Sequence, residues 1–144
     1  MNADTLFSLS GTIAIAGWLA LLASPFVPRL ADRIAGLLVP ALLAIAYTGL
    51  VLAFWWSAKG GFDSLDNVAA LFQTRELLLA GWIHYLAFDL LTGAWIVRTA
   101  RQVGIAFWLV VPCLVLTFLF GPAGFLAFLA IRAALSPRAA AVTT

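Results

Sequence analysis

Four apolar runs, each about as long as a membrane is thick, limit what this chain can fold into. A helix needs roughly 20 apolar residues to cross a bilayer, and the runs cover about residues 5–23, 34–57, 76–97 and 104–131. Only 10% of the residues are charged, against about 25% in soluble domains. The sequence therefore predicts an all-α integral membrane four-helix bundle, built as one domain over residues 1–132 and followed by a flexible tail over 133–144.

The longest connector, residues 58–75, is predicted to hold a short interfacial helix between the second and third spans. Asp63 or Ser64 is suited to cap such a helix. Leu65, Val68 and Leu71 then follow at helical spacing, with polar residues opposite, which is typical of a helix lying on the membrane surface. This helix either covers the mouth of the bundle or acts as a lid over a substrate site.

The fourth run contains Gly121-Pro122, which leaves two arrangements open. The run forms either one kinked, tilted helix or a span followed by a half-helix that turns back. With four full spans the basic residues are equal on the two sides, whereas a turn would move Arg132 and Arg138 to the side of connectors 25–33 and 98–103. The tight arginine clusters in those two connectors favour a cytoplasmic position for them. We expect the first run to be a retained span of a bacterial inner-membrane protein.

The third run is unusual because it contains ionisable side chains. A charge at mid-membrane costs about 2.5–3.5 kcal/mol even on the most lenient scale, and Asp89 lies well inside this run, with His84 nearer its start. At about 100° per residue, the two side chains project roughly 140° apart on a helix. They therefore belong to two faces, one with Trp82 and Tyr85 beside Asp89.

The other face carries aromatic residues next to His84, and both faces supply candidate site residues. We predict catalytic roles for Asp89, His84 and Tyr85. The predicted ligand-binding residues are Trp82, Trp95, Phe88 and Tyr47. The alternative interpretations are that Asp89 is a structural buried acid that holds helices together, and that His84 is a hydrogen-bonding residue at the membrane interface.

Several classes of chemistry lack the residues they need. The chain has one histidine and one cysteine, Cys113, whereas zinc and non-haem iron sites need three or more such ligands. No metal and no cofactor are therefore predicted, although a haem held by His84, or by two His84 side chains of a homo-oligomer, stays open. The scattered basic residues are typical of membrane loops and do not predict nucleic-acid binding.

Two segments carry a family resemblance: GWIHYLAFDLLTGAWIVR in the third run and PCLVLTFLFGPAGFLAFLAIR in the fourth. Together with the connector GGFDSLDNVAALF, they resemble the neoxanthin-synthase-like membrane family of the abscisic-acid-deficient type. The resemblance covers about residues 60–132. The residues that match its motif are Trp82, His84, Asp89, Gly121 and Pro122.

This resemblance implies a four-span membrane protein that binds or modifies carotenoids. Plant members are needed to convert violaxanthin into neoxanthin, an epoxide-to-allene isomerisation of a xanthophyll. Such a reaction needs an acid at the epoxide oxygen and a base for a carbon-bound proton, roles that Asp89 and His84 could fill in an isomerase-like enzyme. The implied partners are the lipid bilayer and a hydrophobic polyene.

Two other functions remain open from the sequence. The first is a haem-binding, pigment-binding or structural subunit of a larger membrane complex. The second is a small transporter, suggested by a faint repeat in which paired arginines precede a Leu/Val-rich stretch containing Pro40 or Pro112. Two hairpins in parallel relation are known in such transporters.

Overall fold

The computed structural model describes residues 2–135, where the regular elements are all helices. They are α1 (Ala3–Leu22), α2 (Pro28–Ser57), α3 (Leu65–Leu71), α4 (Arg75–Val103), α5 (Phe107–Phe120) and α6 (Pro122–Leu135). Helices α1, α2 and α4 are long and apolar enough to cross a membrane. The all-helical prediction is thus confirmed for this part of the chain, and the apolar helices indicate a membrane protein. The tail predicted over 133–144 lies outside the described residues from 136 onward.

The second helix starts earlier than predicted. It begins at Pro28 rather than at residue 34, because proline at the first helical position loses no hydrogen bond and already has a helical φ. The stretch Ile34–Leu38 is wound as a π-helix, and such a turn can accommodate a proline close behind it. The helix therefore continues through Pro40, and the predicted connector 25–33 is helical over most of its length.

The third predicted span is also longer than expected. Helix α4 ends at Val103 rather than at residue 97, so Arg98 and Arg101 lie on the helix and not in a connector. Cations are favourable near a helix C-terminus, where free carbonyl groups carry partial negative charge. Gly104 then ends the helix with a φ of +73°, the left-handed conformation typical of a glycine cap.

Helix α4 is the centre of the bundle and packs against α1, α2, α5 and α6. Small residues allow the close approach, since Gly17 of α1 lies against Leu90 and Gly93 of α4 lies against Trp18. An ion pair between Asp4 and Arg75 joins the N-terminal ends of α1 and α4, so these two helices run parallel. At the opposite end, Arg101 donates to Asp32 of α2 at 2.6 Å.

The fourth predicted span is two helices that fold back on each other. A Cβ atom placed on Gly124 would lie only 2.5 Å from the carbonyl oxygen of Cys113 and 2.1 Å from Oγ1 of Thr117. In one continuous helix, Gly124 and Cys113 would be about 16 Å apart along the axis. Helices α5 and α6 are therefore an antiparallel hairpin with its turn at Gly121.

This hairpin occupies the predicted fourth run, residues 104–131. Each of its helices has 14 residues, which gives about 21 Å at 1.5 Å per residue, less than the roughly 30 Å of a hydrocarbon core. Gly121 itself is buried in the protein, which is the setting in which a break in a helix is tolerated in membrane proteins. Of the two arrangements left open by the sequence, the structure has the one that turns back.

The connector between α2 and α4 folds as one small unit. Ser64 caps α3 by accepting a hydrogen bond from the backbone N–H of Asn67, which confirms one of the two predicted caps. The Asn67 side chain donates to Asp63, and the N–H of Gly61 donates to the Asn67 carbonyl oxygen at 3.2 Å. We call residues 58–74 the cap.

Candidate functional site

The buried carboxyl group of Asp89 lies at the turn of the α5–α6 hairpin. It is in the middle of α4 and 9% exposed. A Cβ atom on Gly121 would be 2.6 Å from Oδ1 of Asp89, so only a glycine leaves room for this carboxyl group. The other oxygen, Oδ2, is buried and has no hydrogen-bond partner among residues 2–135. Asp89 therefore contacts the turn of the hairpin through Oδ1, and its Oδ2 atom has no hydrogen-bond partner among these residues.

Tyr85 is the polar side chain next to Asp89 on the same face of α4. Its hydroxyl group donates to the carbonyl oxygen of Leu119, in the last turn of α5, at 3.1 Å, and the Asp89 carboxyl group is its second neighbour. A hydroxyl group can rotate to suit either acceptor. Tyr85 and Asp89 therefore lie together on this face, whereas Tyr47 contacts His84 and Thr117 donates to the carbonyl oxygen of Cys113.

An apolar groove opens on the side of Tyr85, between α1, α4 and the end of the cap. It has a volume of about 660 Å³ and we call it groove one. Trp82 stacks on Tyr85 with ring centroids 5.5 Å apart, and Phe7 of α1 lies 5.7 Å from Trp82. The groove runs from the Asp4–Arg75 ion pair to Tyr85, about 15 Å along α4. Groove one can hold an apolar, flat molecule with one end near Tyr85.

His84 faces a second, smaller groove of about 300 Å³, which we call groove two. Its ring stacks on Phe88 with centroids 4.5 Å apart and lies 5.6 Å from the ring of Tyr47 on α2. His84 and Phe88 are both exposed on the bundle surface, Phe88 by 57%. The structure therefore separates His84 from Asp89, as the helical geometry of α4 requires.

The predicted ligand-binding residues fall into three places. Trp82 lines groove one, Tyr47 lines groove two, and Phe88 lies beside His84. Trp95 contacts neither groove among the described residues. It packs against Phe125 and Phe128 of α6 at 5.4 and 5.7 Å, where it holds the returning helix of the hairpin against α4.

The sequence alone did not show how three residues shape the site. Gly121 stood out as a helix break, but nothing in its spacing showed that Asp89 would lie against it. Phe7 and Phe72 line groove one, yet in sequence they are ordinary apolar residues of a span and of an amphipathic helix. A structure of the bundle was needed to place all three.

The side chains of this site are better suited to acid–base chemistry than to binding a metal ion. In the described part of the chain, no three His, Cys, Asp or Glu side chains come together as a metal site. What the site offers is a carboxyl group, a phenol and, on a separate surface, an imidazole. These groups can hold and move protons at an apolar ligand.

Comparison with known proteins places the chain in a family. A model of the ABA4-like family, described as ABA DEFICIENT 4-like, matches residues 5–128. No curated protein and no solved structure matches the chain significantly. The family match includes α1, α2 and most of the hairpin, beyond the segments that carry the resemblance in the sequence. The resemblance is thereby confirmed: this protein belongs to the ABA4-like family.

Proposed function

We propose that this protein spans the membrane, binds a carotenoid in groove one and isomerises it. Membership of the ABA4-like family supports a carotenoid-related role in a membrane. The observation that carries the proposal is the position of Tyr85: it lines an aromatic groove of about 660 Å³ and has the buried Asp89 as its neighbour. A pocket of this size with few polar groups is typical of a small-molecule site.

The chemistry proposed is the opening of a xanthophyll epoxide. A proton is donated to the epoxide oxygen, the carbon–oxygen bond breaks, and a carbon-bound proton leaves to a base, so that no atoms are gained or lost. In this proposal Tyr85, which lines groove one, donates to the epoxide oxygen, and its neighbour Asp89 replaces that proton. The base is either the Asp89 carboxylate left behind or His84 in groove two.

Pigment analysis tests this proposal directly. The protein is expressed in a bacterium that carries a pathway to violaxanthin, and pigments are separated from the cells and from the gently purified protein. We expect a new isomer of the xanthophyll and a carotenoid spectrum in the purified protein. An unchanged pigment profile together with a colourless protein would exclude the proposal, and a haem spectrum would favour the alternative cofactor at His84.

Replacing Trp82 by leucine should weaken carotenoid binding by about tenfold. The substitution removes the flat ring that stacks on Tyr85 and lines groove one, and aromatic contacts contribute about 1 kcal/mol or more beyond simple burial. Trp108→Leu is the matched control because Trp108 is exposed on the outer surface of α5. Retained pigment per mole of purified protein measures both, and equal pigment in the two variants would argue against groove one.

We further propose that α5–α6 is a re-entrant hairpin and that its open end faces the cytoplasm of a bacterial inner membrane. Five arginines lie at that end of the described chain, whereas Lys59 and Arg75 lie at the other. An excess of basic residues in short loops is typical of the cytoplasmic side. The N-terminus of α1 is then outside, and the end of α6 is inside.

Cysteine labelling in intact cells should place residues 59 and 135 on opposite sides of the membrane. With Cys113 replaced by alanine, Lys59→Cys is expected to react with a membrane-impermeant maleimide, and Leu135→Cys only after the cells are permeabilised. Both positions have exposed side chains. If Leu135→Cys reacts from outside as readily as Lys59→Cys, α5 and α6 cross the membrane as one span.

A further inference from the structure

Grooves one and two share a single wall. The ring of Phe72, at the end of α3, lies over Gly81 of α4, and its Cε1 atom is 3.1 Å from where a Gly81 Cβ would be. Phe72 and Gly81 line both grooves. The Phe72 ring above Gly81 therefore separates groove one from groove two.

The cap that carries Phe72 is held lightly on the bundle. Of the α3 residues only Leu71 is buried, and Leu65 is 85% exposed. Between its two ends, which are joined to α2 and α4 by backbone hydrogen bonds, the polar contacts described for the cap are internal, such as Asn67 with Asp63. Its ring contact with α2 is that of Phe62 with Trp55, at 5.2 Å. The Phe72 ring can consequently move away from Gly81 without breaking the packing of α4 against α1 and α2.

Groove one alone is too short for the ligand class proposed above. It extends about 15 Å along α4, and a full-length carotenoid, with a ring at each end of its conjugated chain, is longer. Across Gly81 the apolar surface continues to Tyr47 and Val51 of α2 and to His84. The path from Phe7 over Gly81 to Tyr47 crosses three helices and is lined by aromatic side chains.

We propose that grooves one and two are the two halves of one cleft, and that a full-length carotenoid occupies both by lying across Gly81 beneath the cap. This inference rests on the proposed function. It gives the site a preference for ligand length, because a half-length polyene can be held within one groove, whereas a longer one extends from Phe7 across Gly81 to Tyr47 and so passes both Tyr85 and His84. It also lets these two side chains act on one ligand although they never touch.

Binding of ligands of two lengths tests the shared cleft. Violaxanthin serves as the full-length ligand and retinol as a half-length polyene that fits one groove. Gly81→Leu places a side chain where the ligand would cross, so we expect violaxanthin affinity to fall by about tenfold or more, and by a clearly larger factor than retinol affinity. Gly49→Leu is the matched control, since a Cβ atom at Gly49 meets nothing within 4 Å.

A second variant removes the dividing ring instead of blocking the path. Phe72→Ala is expected to bind violaxanthin at least as tightly as the unchanged protein. If Gly81→Leu weakens both ligands equally or neither, or if Phe72→Ala loses violaxanthin binding, the shared cleft is wrong. An unchanged protein that binds violaxanthin while showing no such length dependence would overturn this inference alone, whereas one that binds neither polyene would overturn the proposed function as well.

Discussion

Asp89→Asn is expected to reduce the isomerisation rate by about a hundredfold or more while the protein still folds and binds carotenoid. Asparagine keeps the shape of the side chain beside Gly121, but it has no acidic proton to give to Tyr85. General acid–base catalysis by a positioned side chain contributes typically about 10²–10⁴-fold. The measurement is the initial rate of xanthophyll conversion in detergent, normalised to bound pigment.

Two further variants decide whether Asp89 acts through Tyr85. Tyr85→Phe keeps the ring that stacks on Trp82 and removes only the hydroxyl group, so it should lower the rate and leave pigment binding intact. Asp66→Asn is the control for the chemical change, because Asp66 is an exposed carboxylate on α3. Full activity in Asp89→Asn would assign Asp89 the structural role that the sequence left open.

The main features of α4 could be predicted from sequence because they follow from helical geometry. An apolar run of this length predicts a spanning helix, and the angle between residues 84 and 89 places their side chains on different faces whatever surrounds them. The role of Ser64 as N-cap residue of α3 was predictable for a similar reason, since a serine just before an amphipathic helix can accept hydrogen bonds from the first backbone N–H groups of that helix. These features depend on residues close together in the chain.

The features that were missed depend on contacts between distant residues. Hydropathy is the same whether the segment after Gly121-Pro122 continues or turns back, so the hairpin could not be chosen from the run 104–131. Likewise, Trp95 is predicted to bind ligand because it lies on the same face of the helix as His84, but α6 packs against it. Arg98 and Arg101 were placed in a connector because they are charged, although cations are suited to the last turns of a helix.

The hairpin turn itself should be the most sensitive point of the fold. Gly121 has a φ of +44° and a ψ of −96°. Glycine adopts such a conformation readily, whereas in a residue with a Cβ atom it strains the backbone. A Cβ atom there would also approach Oδ1 of Asp89 to 2.6 Å. A backbone held in a sparsely populated conformation costs about 1–3 kcal/mol and overpacking about 1–3 kcal/mol, so Gly121→Ala should lose about 3 kcal/mol or more of unfolding free energy.

Gly104→Ala measures the cost of a positive φ at a glycine that has no contact with Asp89. Gly104 also has a positive φ, of +73°, but a Cβ atom there meets nothing within 4 Å, so only the backbone cost of about 1 kcal/mol is expected. Unfolding by SDS, followed by circular dichroism, gives both values. Adding Asp89→Ala to Gly121→Ala should recover the overpacking part, because it removes the oxygen in contact, and the double-mutant cycle measures that coupling. Equal losses in Gly104→Ala and Gly121→Ala would mean that Asp89 does not lie against the turn.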